Sequence, residues 1–333
     1  MNYGIMKKDC ICSITRLGLI PAWLGFAAWL TAQETSQFTF IRTLTNKEIW
    51  LRLSAPTGLN YRIDVSSDLP SWNSLVTLPA TSLQHTDSAA PYFSQRYYRA
   101  EQLSATNAFA GDHVVTANGE VVIRPLNHAT FVMKWQEKMI YNDPVSAAGP
   151  FTGLPKADLI LVSHSHSDHF STTTIDAVRG SNAVIVAPQA VYNSLTTAQK
   201  NIAIVLANGD STSVLGLNIE AVPAYNLTSS NHPLGVGNGY VLTIGGKRIY
   251  MSGDSEDIPE MRALQNIDVA FVCMNIPFTM PVDKAASAVR EFRPKVIYPY
   301  HYRNQDNTLA NLADFKRRIA QDLGIEVRLR KWY

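Results

Sequence analysis

Residues 157–170 read ADLILVSHSHSDHF, and the fold turns on this stretch. Leu159, Ile160, Leu161 and Val162 form an unbroken apolar run, short enough for one strand and continuous enough to need cover on both faces. His164, His166, Asp168 and His169 follow at once. Three of the chain's eight histidines fall in this one hexapeptide, which packing does not explain. Imidazole and carboxylate are costly to bury unpaired, and neutral imidazole is the commonest ligand for zinc-like ions. On extended chain His164 and His166 point the same way and suit one ion. Asp168 and His169, on the turn beyond, suit a second about 3.5–4 Å away, as in two-metal hydrolytic sites.

Outward from this stretch, the chain of 333 residues has room for two domains. Its net charge of +2 comes with no basic stripe, which argues against a nucleic-acid partner. Residues 1–32 read as a signal peptide: Lys7, Lys8 and Arg16 precede an apolar segment, Leu17 to Leu30, with Thr31 and Ala32 at the cleavage point. Pro21 interrupts that segment, which is shorter than the roughly 20 residues of a membrane span. The expectation is export to the periplasm or beyond, with no membrane association after cleavage; an uncleaved anchor is the alternative. Cys10 and Cys12 lie in the leader, so Cys273 alone remains and no disulfide framework is expected.

Residues 38–103 alternate in short apolar segments. Ile49, Leu51 and Leu53 share one strand face, and Tyr61, Ile63 and Val65 another, with Pro56, Gly58 and Asn60 between. A small all-β unit, a sandwich, is predicted, with its aromatics in the core and His85 on a solvated loop. Residues 104–112 read as a linker, and residues 113–333 as the second domain.

In that domain Val121 to Tyr141 predicts a strand meander, with His128 after its first strand and Asp143-Pro144 after its last. His128 either lines the metal pocket or only hydrogen-bonds within the first sheet; Asp143 braces a turn or the ligand loop. Ser171 caps a helix running to Val178 that Gly180 would end. Gly245-Gly246 joins two strands, and the second runs into Ser252-Gly253-Asp254, a carboxylate at a strand end that can bridge two cations. A helix is expected over 282–292, a strand over 295–300 with His301 at its end, a helix over 308–323 and a last strand over 325–332. The arginines of that strand are read as facing solvent.

The His-x-His-x-Asp-His pattern resembles the signature of the metallo-β-lactamase superfamily. The blocks AVPAYN, GYVL, RIYMSGD, IDVAFV and KVIYPYHY look like its branch that includes L-ascorbate-6-phosphate lactonase, and N-acyl-phosphatidylethanolamine phospholipase D shares the layout. The S-D-L-x-x-W and Y-Y-R of the first unit resemble β-sandwich modules of secreted bacterial proteins. The resemblance implies an α+β protein, a four-layer αβ/βα sandwich preceded by a small all-β domain. It implies a metal-dependent hydrolase in which two divalent ions, zinc ahead of manganese, supply hydroxide to cleave an ester, lactone or phosphodiester bond of a small molecule. His164, His166 and His232 would hold one ion, and Asp168, His169 and His301 the other. Asp254 would bridge them, and Asp168 and His128 would be catalytic. Much of the superfamily has a histidine where this chain has Asn226. Imidazole binds such metals better than an amide, which favours His232 over Asn226 as the ligand. The alternative is a non-catalytic secreted binding protein with a degraded metal site.

Overall fold

The computed structural model describes residues 37–56, 58–103, 109–149, 151–319 and 323–333; the predicted leader and residues 104–108 lie outside them. The chain divides into two compact units, one ending at Ala108 and the other running from Phe109 to Tyr333, with Ser74–Val76 grouped with the second.

The N-terminal region is β-rich, with strands β1 (Gln37–Thr43), β2 (Ile49–Ser54), β3 (Tyr61–Ser66), β4 (Asn73–Leu78), β5 (Gln84–Asp87) and β6 (Tyr97–Gln102). β2 pairs antiparallel with both β1 and β5, and β3 pairs antiparallel with β6. Leu51 and Leu53 point inward between exposed Arg52 and Ser54, as the alternation predicts. His85 is corrected: it sits in β5 opposite Leu51 and is buried, because the strand continues through it. Asp87 beside it is buried as an acceptor for the Tyr98 hydroxyl at 2.8 Å and Arg96 Nε at 3.0 Å.

The second unit begins with β7 (Gly111–Thr116), β8 (Gly119–Asn127), β9 (Thr130–Trp135), β10 (Lys138–Asn142) and β11 (Ala157–Leu161). There follow α1 (Thr172–Val178), β12 (Arg179–Ala187), α2 (Gln189–Ser194), α3 (Thr197–Lys200) and β13 (Ala203–Val205). The second half comprises β14 (Ser211–Val214), β15 (Leu217–Ala224), β16 (Gly237–Ile244), β17 (Lys247–Met251), α4 (Pro259–Arg262) and β18 (Val269–Cys273). It closes with α5 (Val282–Phe292), β19 (Val296–Tyr300), α6 (Leu312–Arg318) and β20 (Glu326–Val327).

One sheet runs β13-β12-β11-β10-β9-β8-β7 and the other β14-β15-β16-β17-β18-β19-β20. Each is an antiparallel meander on one side and parallel on the other: β10 to β13 are parallel neighbours in the first, β17 to β20 in the second. Parallel neighbours need crossovers, and the helices supply most of them.

Layering explains the unbroken apolar runs. Leu159 and Leu161 face the core shared by the two sheets, whereas Ile160 between them packs with Ile175 and Val178 of α1. Phe131 of the first sheet stacks on Phe271 of the second, ring centres 4.1 Å apart, with Trp332 set edge-on to both. On the outer face of the second sheet, Ala285, Ala286, Val289 and Phe292 of α5 complete the same core.

Several local expectations are corrected. Gly180 does not end α1; it lies in β12, where a Cβ would stand 3.0 Å from the Ala157 carbonyl oxygen, so the missing side chain serves the close approach of two strands. The predicted linker ends early, since Gly111 and Asp112 belong to β7. The last helix covers only Leu312–Arg318, capped by Asn311, because Arg303 and Leu309 form a β-bridge that closes the preceding loop. Arg328 is buried rather than solvated, paired with Glu326 at 2.8 Å, and Arg330 reaches Asp112 at 2.7 Å.

Phe271→Ala should lower the unfolding free energy by about 3–5 kcal/mol, because it empties the contact between the sheets; chemical denaturation followed by tryptophan fluorescence measures this.

Candidate metal centre

Asp254 and His301 lie just beyond the ends of β17 and β19, His164, His166, Asp168 and His169 on the loop after β11, His128 in the turn between β8 and β9, and His232 on the loop between β15 and β16. The loop after β11 is braced from behind by Asp143, which is fully buried. Its carboxylate accepts from Ser163 N and Ser163 Oγ, both at 2.7 Å, and lies 2.9 Å from His169 Nδ1. His128, Asp143 and His301 have φ of 58°, 42° and 45°. Non-glycine residues in the left-handed region cost energy, and three of them around one pocket mark a place where geometry outweighs local comfort.

The hydrogen-bond partners determine the tautomers. Asp143 is an acceptor, so His169 carries its proton on Nδ1. Ser163 Oγ spends its single proton on Asp143 and so accepts from His164 Nδ1 at 3.0 Å. His232 Nδ1 faces two acceptors, Asn226 Oδ1 and the Phe278 carbonyl, each at 3.2 Å. Each of the three rings therefore directs Nε2 into the pocket, with a lone pair there when the ring is neutral.

Those lone pairs converge. His169, His232 and His301 each place Nε2 at 3.4 Å from a carboxylate oxygen of Asp254. His164 Nε2 and His166 Nδ1 are 3.1 Å apart, a separation that calls for a shared proton or a shared cation. Three sets have ligand atoms within 4.8 Å of one another: His164 with His166 and His232; His164 with His169 and Asp254; and His128 with Asp168, His169 and His301. Nε2 of His169, His232 and His301 and Oδ1 of Asp254 are buried without a hydrogen-bond partner among the described residues. Such orphaned atoms are expensive, and a divalent cation is the group that would satisfy all of them together.

Asp254 reaches the centre through Gly253, at φ 59°, where a Cβ would stand 2.8 Å from the Asn238 carbonyl oxygen. Asn226 is not in the ligand position. Its amide nitrogen donates to Phe278 O at 2.7 Å and Ser229 Oγ at 2.8 Å, which leaves its oxygen to orient His232. His232 thus reaches in from the loop between β15 and β16.

His128 lies on the pocket side, with Nε2 3.0 Å from Asp168 Oδ2 and Nδ1 2.9 Å from the Tyr333 hydroxyl. Burial pushes His128 below the usual imidazole value and Tyr333 above the usual phenol value, so both are neutral at pH 7. His128 therefore donates from Nε2 to Asp168 and accepts from Tyr333, the opposite tautomer to the other three. Burial pushes Asp168 up, but the hydrogen bond from His128 and the nearby His301 and His169 rings outweigh it and hold the carboxyl below the ordinary range.

The remaining electrostatics divide the histidines. Burial pushes His164 well down and His232 down. It opposes charge on His169 and His301 too, yet Asp254 beside them, with Asp143 for His169 and Asp168 for His301, raises both. Asp254 itself is held far down: burial raises it, and His301 and His169 more than compensate.

The sequence reading missed Tyr333, Ser163 and the carbonyl of Phe278. Tyr333 lies 205 positions from its partner, and no local pattern points to it. Arg303 stacks on the Tyr333 ring, 4.0 Å from its centre.

Fold and site together define a metal-dependent hydrolase of metallo-β-lactamase fold. The β-lactamase superfamily domain matches residues 122–301. A UPF0173 metal-dependent hydrolase of Thermococcus onnurineus is 31% identical over 210 residues, 60% of this chain and 92% of that one. A crystal structure described as a metal-dependent hydrolase from Parabacteroides distasonis is 40% identical, covers 67% of this chain and 99% of its own, and superposes with a TM-score of 0.61. Igni18, a metallo hydrolase of Ignicoccus hospitalis, shares the fold at 23% identity, with 63% and 95% of the two chains covered and a TM-score of 0.55. The chain belongs to the metallo-β-lactamase superfamily, as a metal-dependent hydrolase of the UPF0173 family.

Asn226→Leu should weaken metal binding by about 10–100-fold, the usual effect of losing a ligand's orienting partner, whereas Asn226→Gln should recover part of it; chelator competition on the metal-free protein measures both. Metal binding needs neutral imidazoles, and Asp254 favours the protonated forms of His169 and His301, so metal uptake should release protons and weaken as pH falls. Calorimetry in buffers of different ionisation enthalpy detects the release; identical heats in all buffers would contradict it.

Proposed function

We propose that these side chains hold two divalent ions, zinc ahead of manganese, and that the protein hydrolyses an ester, lactone or phosphodiester bond of a small molecule. His164, His166 and His232 would hold one ion, and Asp168, His169 and His301 the other, with the Asp254 carboxylate available to both. The observation that carries this reading is the convergence of buried, unpartnered imidazole nitrogens on Asp254. When bound, the ions lower the pKa of water towards neutrality and offset charge on the attacked oxygen.

The chain's own groups supply the rest. Asp168, ionised and facing the pocket, accepts a proton from the attacking water. His128, fixed by Tyr333, holds that carboxylate in place through its Nε2 hydrogen. The alternative of a degraded, non-catalytic site rested on Asn226 alone, and Asn226 serves His232.

The sequence blocks around Asp254 and His301 support the lactonase-like branch over a β-lactam substrate. The leader supports export, and the β-rich N-terminal region is read as the sandwich module that accompanies such secreted proteins.

His166→Ala and Asp254→Ala should each lower metal content and cut activity by more than about a hundredfold, beyond the range for removing a mere bracing partner. Metal analysis alongside lactone, ester and phosphodiester reporters tests this; full activity after chelation would refute it.

A further inference from the structure

Three loops form the mouth of the metal centre: residues 225–236 between β15 and β16, residues 274–281 between β18 and α5, and residues 301–311 between β19 and α6. The first carries His232, the second the carbonyl that orients it, and the third His301. They are tied to one another. Asn226 Nδ2 donates to Phe278 O at 2.7 Å, Ile276 N to Asn304 Oδ1 at 3.0 Å, and Gln305 N to Ile276 O at 3.1 Å.

These loops leave large apolar side chains in solvent: Leu227 at 50%, Leu234 at 63%, Val236 at 39%, Ile276 at 48% and Leu309 at 51% exposure. Among the described residues of the second unit, Val115 is the other large apolar side chain so exposed. A single exposed leucine means nothing, but five such residues on the tied loops of one mouth mark a binding surface. Val236 and Pro233 continue it inward, since they line the same pocket as His164, His166, His232 and Asp254. Charge is scarce there. The three loops contain no lysine and one arginine, Arg303, whose guanidinium is packed on Tyr333. An anionic group would find little counter-charge on these loops, whereas an aliphatic chain would find cover.

We infer that the substrate is a neutral ester or lactone whose aliphatic acyl chain lies over Leu227, Leu234, Val236 and Ile276, with its carbonyl at the metal centre. This rests on the hydrolase reading above and narrows it. In the reaction the water oxygen bonds to the acyl carbon and the acyl C–O bond breaks. One water proton passes by way of Asp168 to the leaving alkoxide and the other goes to solvent, leaving a carboxylate and an alcohol, joined in one molecule if the substrate is a lactone.

The test uses the full, metal-loaded protein and p-nitrophenyl acetate, butyrate and hexanoate, with bis(p-nitrophenyl) phosphate beside them. We expect kcat/KM to rise at least about tenfold from acetate to hexanoate, given the apolar gain per methylene. The double variant Leu227→Ser/Leu234→Ser, with metal content unchanged, should flatten that rise. Ester hydrolysis that is indifferent to chain length, or a rise that the variant leaves intact, would overturn the inference while sparing the hydrolase reading. Cleavage of the phosphodiester in preference to all esters would overturn it too. If no reporter is cleaved, the hydrolase reading fails on its own account, and calorimetric binding of hexanoate against acetate still decides the surface: equal affinities refute it.

Discussion

Asp254, a carboxylate buried among three imidazole nitrogens, is the constraint to which the rest of the second unit answers. Lone pairs directed at one another in a low-dielectric pocket repel, and each unpaired polar atom costs stability. The fold tolerates them because a partner behind each ring fixes it: Asp143 behind His169, Ser163 behind His164, and Asn226 with the Phe278 carbonyl behind His232. The pocket's own charges share the rest of the burden, with His169 and His301 drawn to their protonated forms by Asp254.

The architecture keeps this arrangement rigid. Both sheets run from an antiparallel meander into parallel strands, and most of the candidate groups sit where strands end: β11 before the histidine loop, β17 before Asp254, β19 before His301. The Phe131 and Phe271 stack locks the sheets face to face below the centre. Strand ends held by two ladders and a shared core fix Asp254 and His301, while loop partners, Asn226 and the Phe278 carbonyl, fix His232. Around these groups the loops carry exposed leucine, isoleucine and valine and little charge.

Much of this was legible in the amino-acid order, for local reasons. An apolar run followed by ligand-type residues identified the loop at 164–169, and the paired glycines of the 245–246 hairpin led to Asp254. The apolar strand before His301 identified that residue, and α5 spans the predicted 282–292. Each of these depends on spacing along a few residues, which is where periodicity and turn chemistry act. Local reasoning failed where a residue serves a neighbour from another strand: Gly180 reads as a helix stop and is a strand contact, and Arg328 reads as solvated and is a buried ion pair.

By itself, then, the chain's order determined the second unit's strand-and-helix plan, its layered class and the residue types that meet at the strand ends. Only the tertiary structure set His232 against Asp254 with Asn226 behind it, turned His128 towards Asp168, and brought Tyr333 to a histidine 205 positions away. Side-chain periodicity encodes which face a residue takes and whether it is buried. Which ring nitrogen keeps its lone pair depends on an acceptor supplied by a distant segment, and that pairing exists only once the sheets have packed.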